Sequence, residues 1–167
     1  MDSLKELSDK ISSLHIFDYL LPGILFVVIA KELTGMDLIL SSHLLGVFLY
    51  YFIGMVICLF GSIAIEPLLQ KFNFIKLSDY KSYLLAARND NQLEFLSKVN
   101  NIYLSILSLS VLLIIVKMYS YVKYALAISN AISLLLAIVG IIVLFILAYR
   151  KQAMQIAKRI EINNQYL

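Results

Sequence analysis

The sequence predicts an all-α integral membrane protein, four membrane-crossing helices with a cytosolic helical cap. Three observations lead there. Hydrophobic residues make up 61% of the 167 and charged residues only 15%, with a mean hydropathy of +0.86, too apolar for a soluble domain of this length. The apolar residues gather in long runs, and the run 124–149 holds no charged residue at all. At about 1.5 Å per residue that run is roughly 39 Å long as a helix, more than the roughly 30 Å of a bilayer's hydrocarbon core. Lastly, of the 14 Lys and Arg, eleven fall in the N-terminal segment, the central insert and the tail; the short loops hold only Lys31, Lys117 and Lys123. That bias places both termini and the insert in the cytoplasm.

Residues 1–17 repeat Leu4, Leu7, Ile11 and Leu14 at helical spacing with Lys5, Glu6, Asp9 and Lys10 between them. This pattern predicts an amphipathic helix on the membrane surface or against a partner helix. The acidic residues before the first apolar run argue against a cleavable signal. A first transmembrane hairpin covers 18–65. Pro22 disfavours helical geometry at Leu21 and Asp18 offers a cap, so an elbow is expected at 18–23. The first span, 20–33, is short and needs Lys31 to snorkel outward. The second, 44–65, carries Gly54, Cys58 and Ser62 at every fourth position, a stripe of small residues that lets another helix come close. Glu66-Pro67 is expected to end it.

The insert, 66–98, alternates Leu68, Leu69, Phe72, Phe74, Ile75 and Leu77 with Lys71 and Lys76, as a half-immersed segment does. A helix capped at Ser78 is expected next, with Tyr80, Tyr83, Leu84 and Ala87 on one face, broken at 88–91. Asn91 and Glu94 read as a cap pair for a helix running into the third span, to 116. The second hairpin, 99–149, turns at 117–123, and a basic tail helix fills 150–167. Tyr119, Tyr121, Tyr124 and Tyr149 fit an interfacial belt.

Chemistry is sparse. His15 and His43 lie at opposite ends of the first hairpin, Cys58 is the single cysteine, and no ionisable residue lies deeper in a span than Lys31. Catalysis by a metal or a nucleophile needs ligands or a base brought together, and a proton pump needs a charge near mid-membrane, so an enzyme or ion-coupled transporter is not expected, nor a cofactor. The spans do hold Ser105, Ser108, Ser110, Ser129, Asn130 and Ser133, and Ala125, Ser129, Ser133 and Ala137 recur every fourth residue, with Gly140 beyond. Two readings stand: interhelical hydrogen bonds and close packing, or the lining of an uncharged conduit between subunits of a homo-oligomer. The basic residues Lys71, Lys76, Lys81, Arg88, Lys98, Arg150, Lys151, Lys158 and Arg159 also have two readings. They serve retention and attraction to anionic lipid, or a cytosolic face for a partner protein, a nucleotide or a single-stranded oligonucleotide.

The segment Asp18-Tyr19-Leu20-Leu21-Pro22-Gly23, the cytosolic insert, and the exit of the last span through Tyr149-Arg150-Lys151-Gln152 resemble the small four-helix membrane proteins of bacterial anti-phage defence operons. The resemblance implies a bacterial inner-membrane effector that oligomerises, is held or triggered by a cytosolic partner or its nucleotide or oligonucleotide product, and permeabilises that membrane. Others of this shape resemble non-conducting anchors that gather a cytosolic protein.

Overall fold

The structure, a computed structural model, describes the backbone of residues 2–76, 78–79, 81–83, 86 and 90–164; within these, the side chains of 2–15, 91, 94, 163 and 164 are not described. The expectations for the N-terminal apolar stripe and for Tyr80, Leu84, Ala87 and Arg88 fall outside the described residues. No strand occurs among those described. Helix α1 is Asp2–Thr34, α2 is His43–Phe60, and a π-turn, Gly61–Ile65, leads into α3, Glu66–Lys71. Helix α4 is Asn91–Ala125 and α5 is Asn130–Asn164. Among the described residues, three stretches are long and apolar enough to cross a membrane: His43–Lys71, Phe95–Ala125 and Asn130–Ile162. The first span, 20–33, does not reach that standard, bounded as it is by Asp18, Lys31 and Glu32.

The elbow expected at 18–23 is a continuous helix instead, with Pro22 inside α1. A proline in a helix interior removes one hydrogen bond and costs about 3 kcal/mol, so something must hold the helix through it. What holds it is the crossing with α2. Carbon atoms placed as a Cβ on Gly23 and Gly54 would lie 1.8 Å from the Tyr50 carbonyl oxygen and 1.6 Å from the Tyr19 carbonyl oxygen. Each glycine thus lies directly under a backbone carbonyl of the other helix. Backbones come this close only where there is no side chain, and in lipid such packing replaces the hydrophobic drive. Tyr19 and Tyr51 add an edge-to-face pair, with centroids 5.5 Å apart, beside the crossing.

Helix α4 packs on this hairpin. The buried core is Val27 and Ala30 from α1, Ile57 and Ile65 from the second helix, and Leu109 and Leu113 from α4. Ser108, fully buried, sits over Gly61, where a Cβ would come within 2.3 Å of its hydroxyl. Helix α5 is different: none of its most apolar stretch is buried.

Glu66-Pro67 does not end the second span, which runs on through α3. The π-turn explains why. In it the Glu66 N–H donates to the Gly61 carbonyl, five residues back, and widening the turn makes room for the Pro67 ring. The helix stops later, at Phe72, where Asn73 adopts φ 56° and the N–H groups of Asn73 and Phe74 donate to the Gln70 and Leu69 carbonyls, a Schellman ending.

The turn expected at 117–123 is helical too. Helix α4 continues to Ala125, and the connection is residues 126–129. Ala127 takes φ 49°, with Ala127 and Ile128 donating to the Tyr124 and Lys123 carbonyls. This is a second Schellman ending, built without the glycine that would have announced it. At the start of α4 the cap is Asp90 rather than Asn91, its carboxylate accepting from the Gln92 N–H at 2.8 Å.

The ends of the helices sort into two layers. At the hairpin end, formed by 35–42 and 126–129, the Lys117 ammonium donates to the Leu33 carbonyl, satisfying an orphan acceptor at the end of α1. Lys31 pairs with Asp37 at 3.0 Å, both exposed. The Lys31 hydrogen bond first, and the Ile39 N–H second, hold the Asp37 carboxyl below its ordinary value. A carboxyl with a depressed folded pKa supports the native state above its unfolded pKa and loses that support as pH falls through the folded one. Acidification through and below the usual carboxylate range should therefore loosen this connector in the parent protein. Asp37→Asn should abolish that step in an amide-exchange titration; an unchanged titration would remove Asp37 from the account.

Candidate functional site

At the other end, where the insert lies, α1, the second helix, α4 and α5 open into a cleft of about 550 Å³. Its upper rim is polar: Glu66, Lys98, Lys151 and Gln155. Its floor reaches Cys58 and Ser105, eight residues or about 12 Å below Glu66 along the second helix. Leu59, Ile102 and Leu104 make apolar walls, while Asp18 and Tyr19 enter from α1 and Tyr83 from the insert. In the floor the Cys58 thiol and the Ser105 hydroxyl are 3.1 Å apart, and Ser105 also donates to the Asn101 carbonyl at 2.8 Å.

One cluster in this cleft follows from the sequence step by step. A π-turn pairs each carbonyl with the N–H five residues on. The Ser62 carbonyl would pair with residue 67, which is proline and has no N–H. The Glu66 N–H is committed to Gly61, so the Ser62 carbonyl is left without a backbone donor. Lys151 supplies the missing hydrogen bond. Its ammonium donates to the Ser62 carbonyl at 2.8 Å, to the Ser62 hydroxyl at 2.6 Å and to Glu66 Oε2 at 2.9 Å. All three N–H donors of a lysine are satisfied. With Lys151 34% and Glu66 20% exposed, the pair is screened less than a surface bridge.

This node is one of the side-chain contacts that hold α5. Another is the stack of Phe52 on Phe145, 6.3 Å between centroids and 9° from parallel. Helix α5 is thus latched at its polar end and otherwise packs lightly.

The residues singled out in the sequence are dispersed by the fold. Of the nine basic positions, only Lys98 and Lys151 line the cleft. Lys71, Lys76, Arg150, Lys158 and Arg159 are exposed elsewhere, Lys81 is half-buried, and Arg88 lies outside the described residues. Within the cleft the charges match, Asp18 and Glu66 against Lys98 and Lys151. Ser105 and Ser108 face the interior of the bundle, and each hydroxyl donates to a carbonyl of its own helix; for Ser108 this is Leu104, at 2.6 Å. Ser129 lies at the mouth of α5, accepting from the Ile132 N–H, and Asn130 accepts from Lys123 at 2.7 Å. The four-residue repeat through Ala125, Ser129, Ser133 and Ala137 is no single stripe, because Ala125 closes α4 and Ser129 precedes α5.

No protein-family model, curated protein or solved structure matches the chain. No group of three or more His, Cys, Asp or Glu suited to a metal ion occurs among the described residues. The sequence did not mark Ser62 and Glu66 as partners of Lys151. Glu66-Pro67 held the signal, since a proline late in an apolar run leaves a carbonyl to be satisfied from elsewhere.

Proposed function

We propose that the chain is the subunit of a homo-oligomeric, conduit-forming effector in a bacterial inner membrane, controlled from the cytosolic face. In this reading α1 completes a fourth crossing, its short apolar segment served by Lys31 and Lys117 at the outer surface. The insert and tail form the cytosolic cap, and both termini are cytoplasmic. The carrying observation is the attachment of α5. A helix with no charge from 130 to 149, unburied along its apolar length and latched at one end by Lys151, is suited to pack round a symmetry axis and to shift when the latch opens. The setting in anti-phage defence rests on the resemblance alone.

Four spans are too few to enclose a pore of their own, so the conduit belongs to the assembly. The trigger docks outside the cleft, on the exposed segment that carries Lys71, Phe72, Phe74 and Lys76, where a partner protein, a nucleotide or an oligonucleotide meets positive charge next to aromatic rings. Planar-bilayer recording of the purified protein tests this. The parent should conduct rarely and Lys151→Met, with the latch broken, should conduct at least about tenfold more often, the effect of roughly 1.4 kcal/mol on a two-state equilibrium. Silence from both proteins, in preparations that keep their helicity and symmetry, would overturn the conduit reading.

The exposed aromatic-basic segment also favours a second reading, a non-conducting anchor that recruits a cytosolic protein. That reading alone predicts recruitment in protein that never conducts.

A further inference from the structure

We propose that the cleft binds the headgroup of a membrane phospholipid bearing a primary ammonium and a phosphate, the ammonium seating in the Ser62–Glu66 socket that Lys151 fills in this structure. The socket presents three acceptors, the Ser62 carbonyl, the Ser62 hydroxyl and a Glu66 carboxylate oxygen, at 2.8, 2.6 and 2.9 Å from one nitrogen. That set fits any –NH3⁺ group, which has three donors. A quaternary ammonium has no N–H and leaves the Ser62 carbonyl unsatisfied, at the cost of an unpaired acceptor.

Charge favours the same ligand. Displacing Lys151 leaves its ammonium without Glu66, and a phosphate in the same cleft, which Lys98 also lines, supplies the counter-ion. The exchange turns one internal ion pair into two, with no change in net charge. A nucleotide or oligonucleotide brings negative charge only, into a cleft where Asp18 and Glu66 already match the two lysines. The shape agrees. The cleft begins at charged residues and descends between the apolar walls of Leu59, Ile102 and Leu104, which suits an occupant with a charged head joined to an apolar body, as a lipid is.

The proposal concerns the latch of the reading above, since an occupant that takes Lys151's place releases α5. Binding itself does not depend on conduction. It is tested on the full chain in nanodiscs of equal phosphatidylethanolamine, phosphatidylcholine and phosphatidylglycerol, with retained lipid read by native mass spectrometry. Phosphatidylethanolamine should be retained about tenfold over the other two, the discrimination expected for a site that must hydrogen-bond its ligand's N–H. Glu66→Gln should remove the preference. Lys151→Gln, which empties the socket of its internal competitor, should raise retention, a gain that a misfolded protein cannot produce. Equal retention of phosphatidylcholine, or no gain in Lys151→Gln, would overturn the proposal. Displacement of the lipid by equimolar phosphoethanolamine would assign the same chemistry to a free solute and overturn the membrane source. A lipid preference in protein that never conducts would uphold this site while removing the conduit.

Discussion

Gly54→Ala is expected to separate α1 from α2 and to leave no folded hairpin. The added carbon would lie 1.6 Å from the Tyr19 carbonyl oxygen and 2.6 Å from its carbon, both backbone atoms that cannot rotate away. Relief requires moving one helix by more than an ångström along the whole crossing. That movement pulls Val27 and Ala30 away from Ile57, three of the few fully buried side chains of the bundle. Overpacking a tight core costs about 1–3 kcal/mol where side chains can adjust; here they cannot, and the loss should be at the top of that range or above it. It also removes the support that carries α1 through Pro22. Gly23→Ala should act in the same way, against the Tyr50 carbonyl at 1.8 Å. Two other glycines serve as controls. A Cβ on Gly46 would meet only the Tyr50 ring, at 3.5 Å, and one on Gly140 would meet nothing within 4 Å. Alanine at either should be neutral, or stabilising by up to about 1 kcal/mol through helix propensity. Thermal melts of detergent-solubilised protein, followed by size exclusion, would separate the two classes. A Gly54→Ala protein that melts with the parent would show that the helices do not cross at these glycines.

The small residues that make this crossing were legible in the sequence, although their partners were not. Gly54, Cys58 and Ser62 read as one stripe for one neighbouring helix. In the fold the stripe is divided among three. Gly54 meets α1, Cys58 meets Ser105 of α4, and Ser62 meets Lys151 of α5. Helical spacing tells which residues share a face, whereas the number of helices meeting that face is a tertiary property. The misplaced ends have local causes. Pro22 and Pro67 are strong breakers in isolation, yet one is overridden by a backbone crossing and the other absorbed by a π-turn. The end of α4 was hidden because Ala127 holds the left-handed position that glycine usually marks. The basic residues illustrate the limit on site prediction. All nine looked alike as positive charge near a membrane, and only contacts some 85 residues apart in sequence set Lys151 apart.

Those contacts lead to the second large effect, a double-mutant cycle between Pro67 and Lys151. Lys151→Met removes the donor to the Ser62 carbonyl and leaves Glu66 without its partner. Breaking a partly buried, charge-assisted cluster of this kind should cost about 2–3 kcal/mol, and α5 should detach at the insert end. Pro67→Ala acts on the same carbonyl from the other side. It restores a backbone N–H at position 67, which can satisfy the Ser62 carbonyl within the π-turn or allow the turn to revert to an α-helix. Either result makes Lys151 less necessary. In the Pro67→Ala background, Lys151→Met should therefore cost at least about 1 kcal/mol less than in the parent, since the share of the penalty due to an orphaned acceptor has gone. The remaining cost is the loss of the Glu66 pair. Glu66→Gln isolates that part, leaving Lys151 bound to Ser62. The cycle can be read from unfolding in mixed detergent, and independently from the distance between spin labels at the insert ends of α3 and α5. Strict additivity of Pro67→Ala and Lys151→Met would refute the assignment, because two residues that serve one carbonyl cannot be energetically independent. A coupling of the expected sign would mean that a missing N–H on one helix determines where a lysine some 85 residues away must sit, and that the same lysine is the point at which α5 is held or let go.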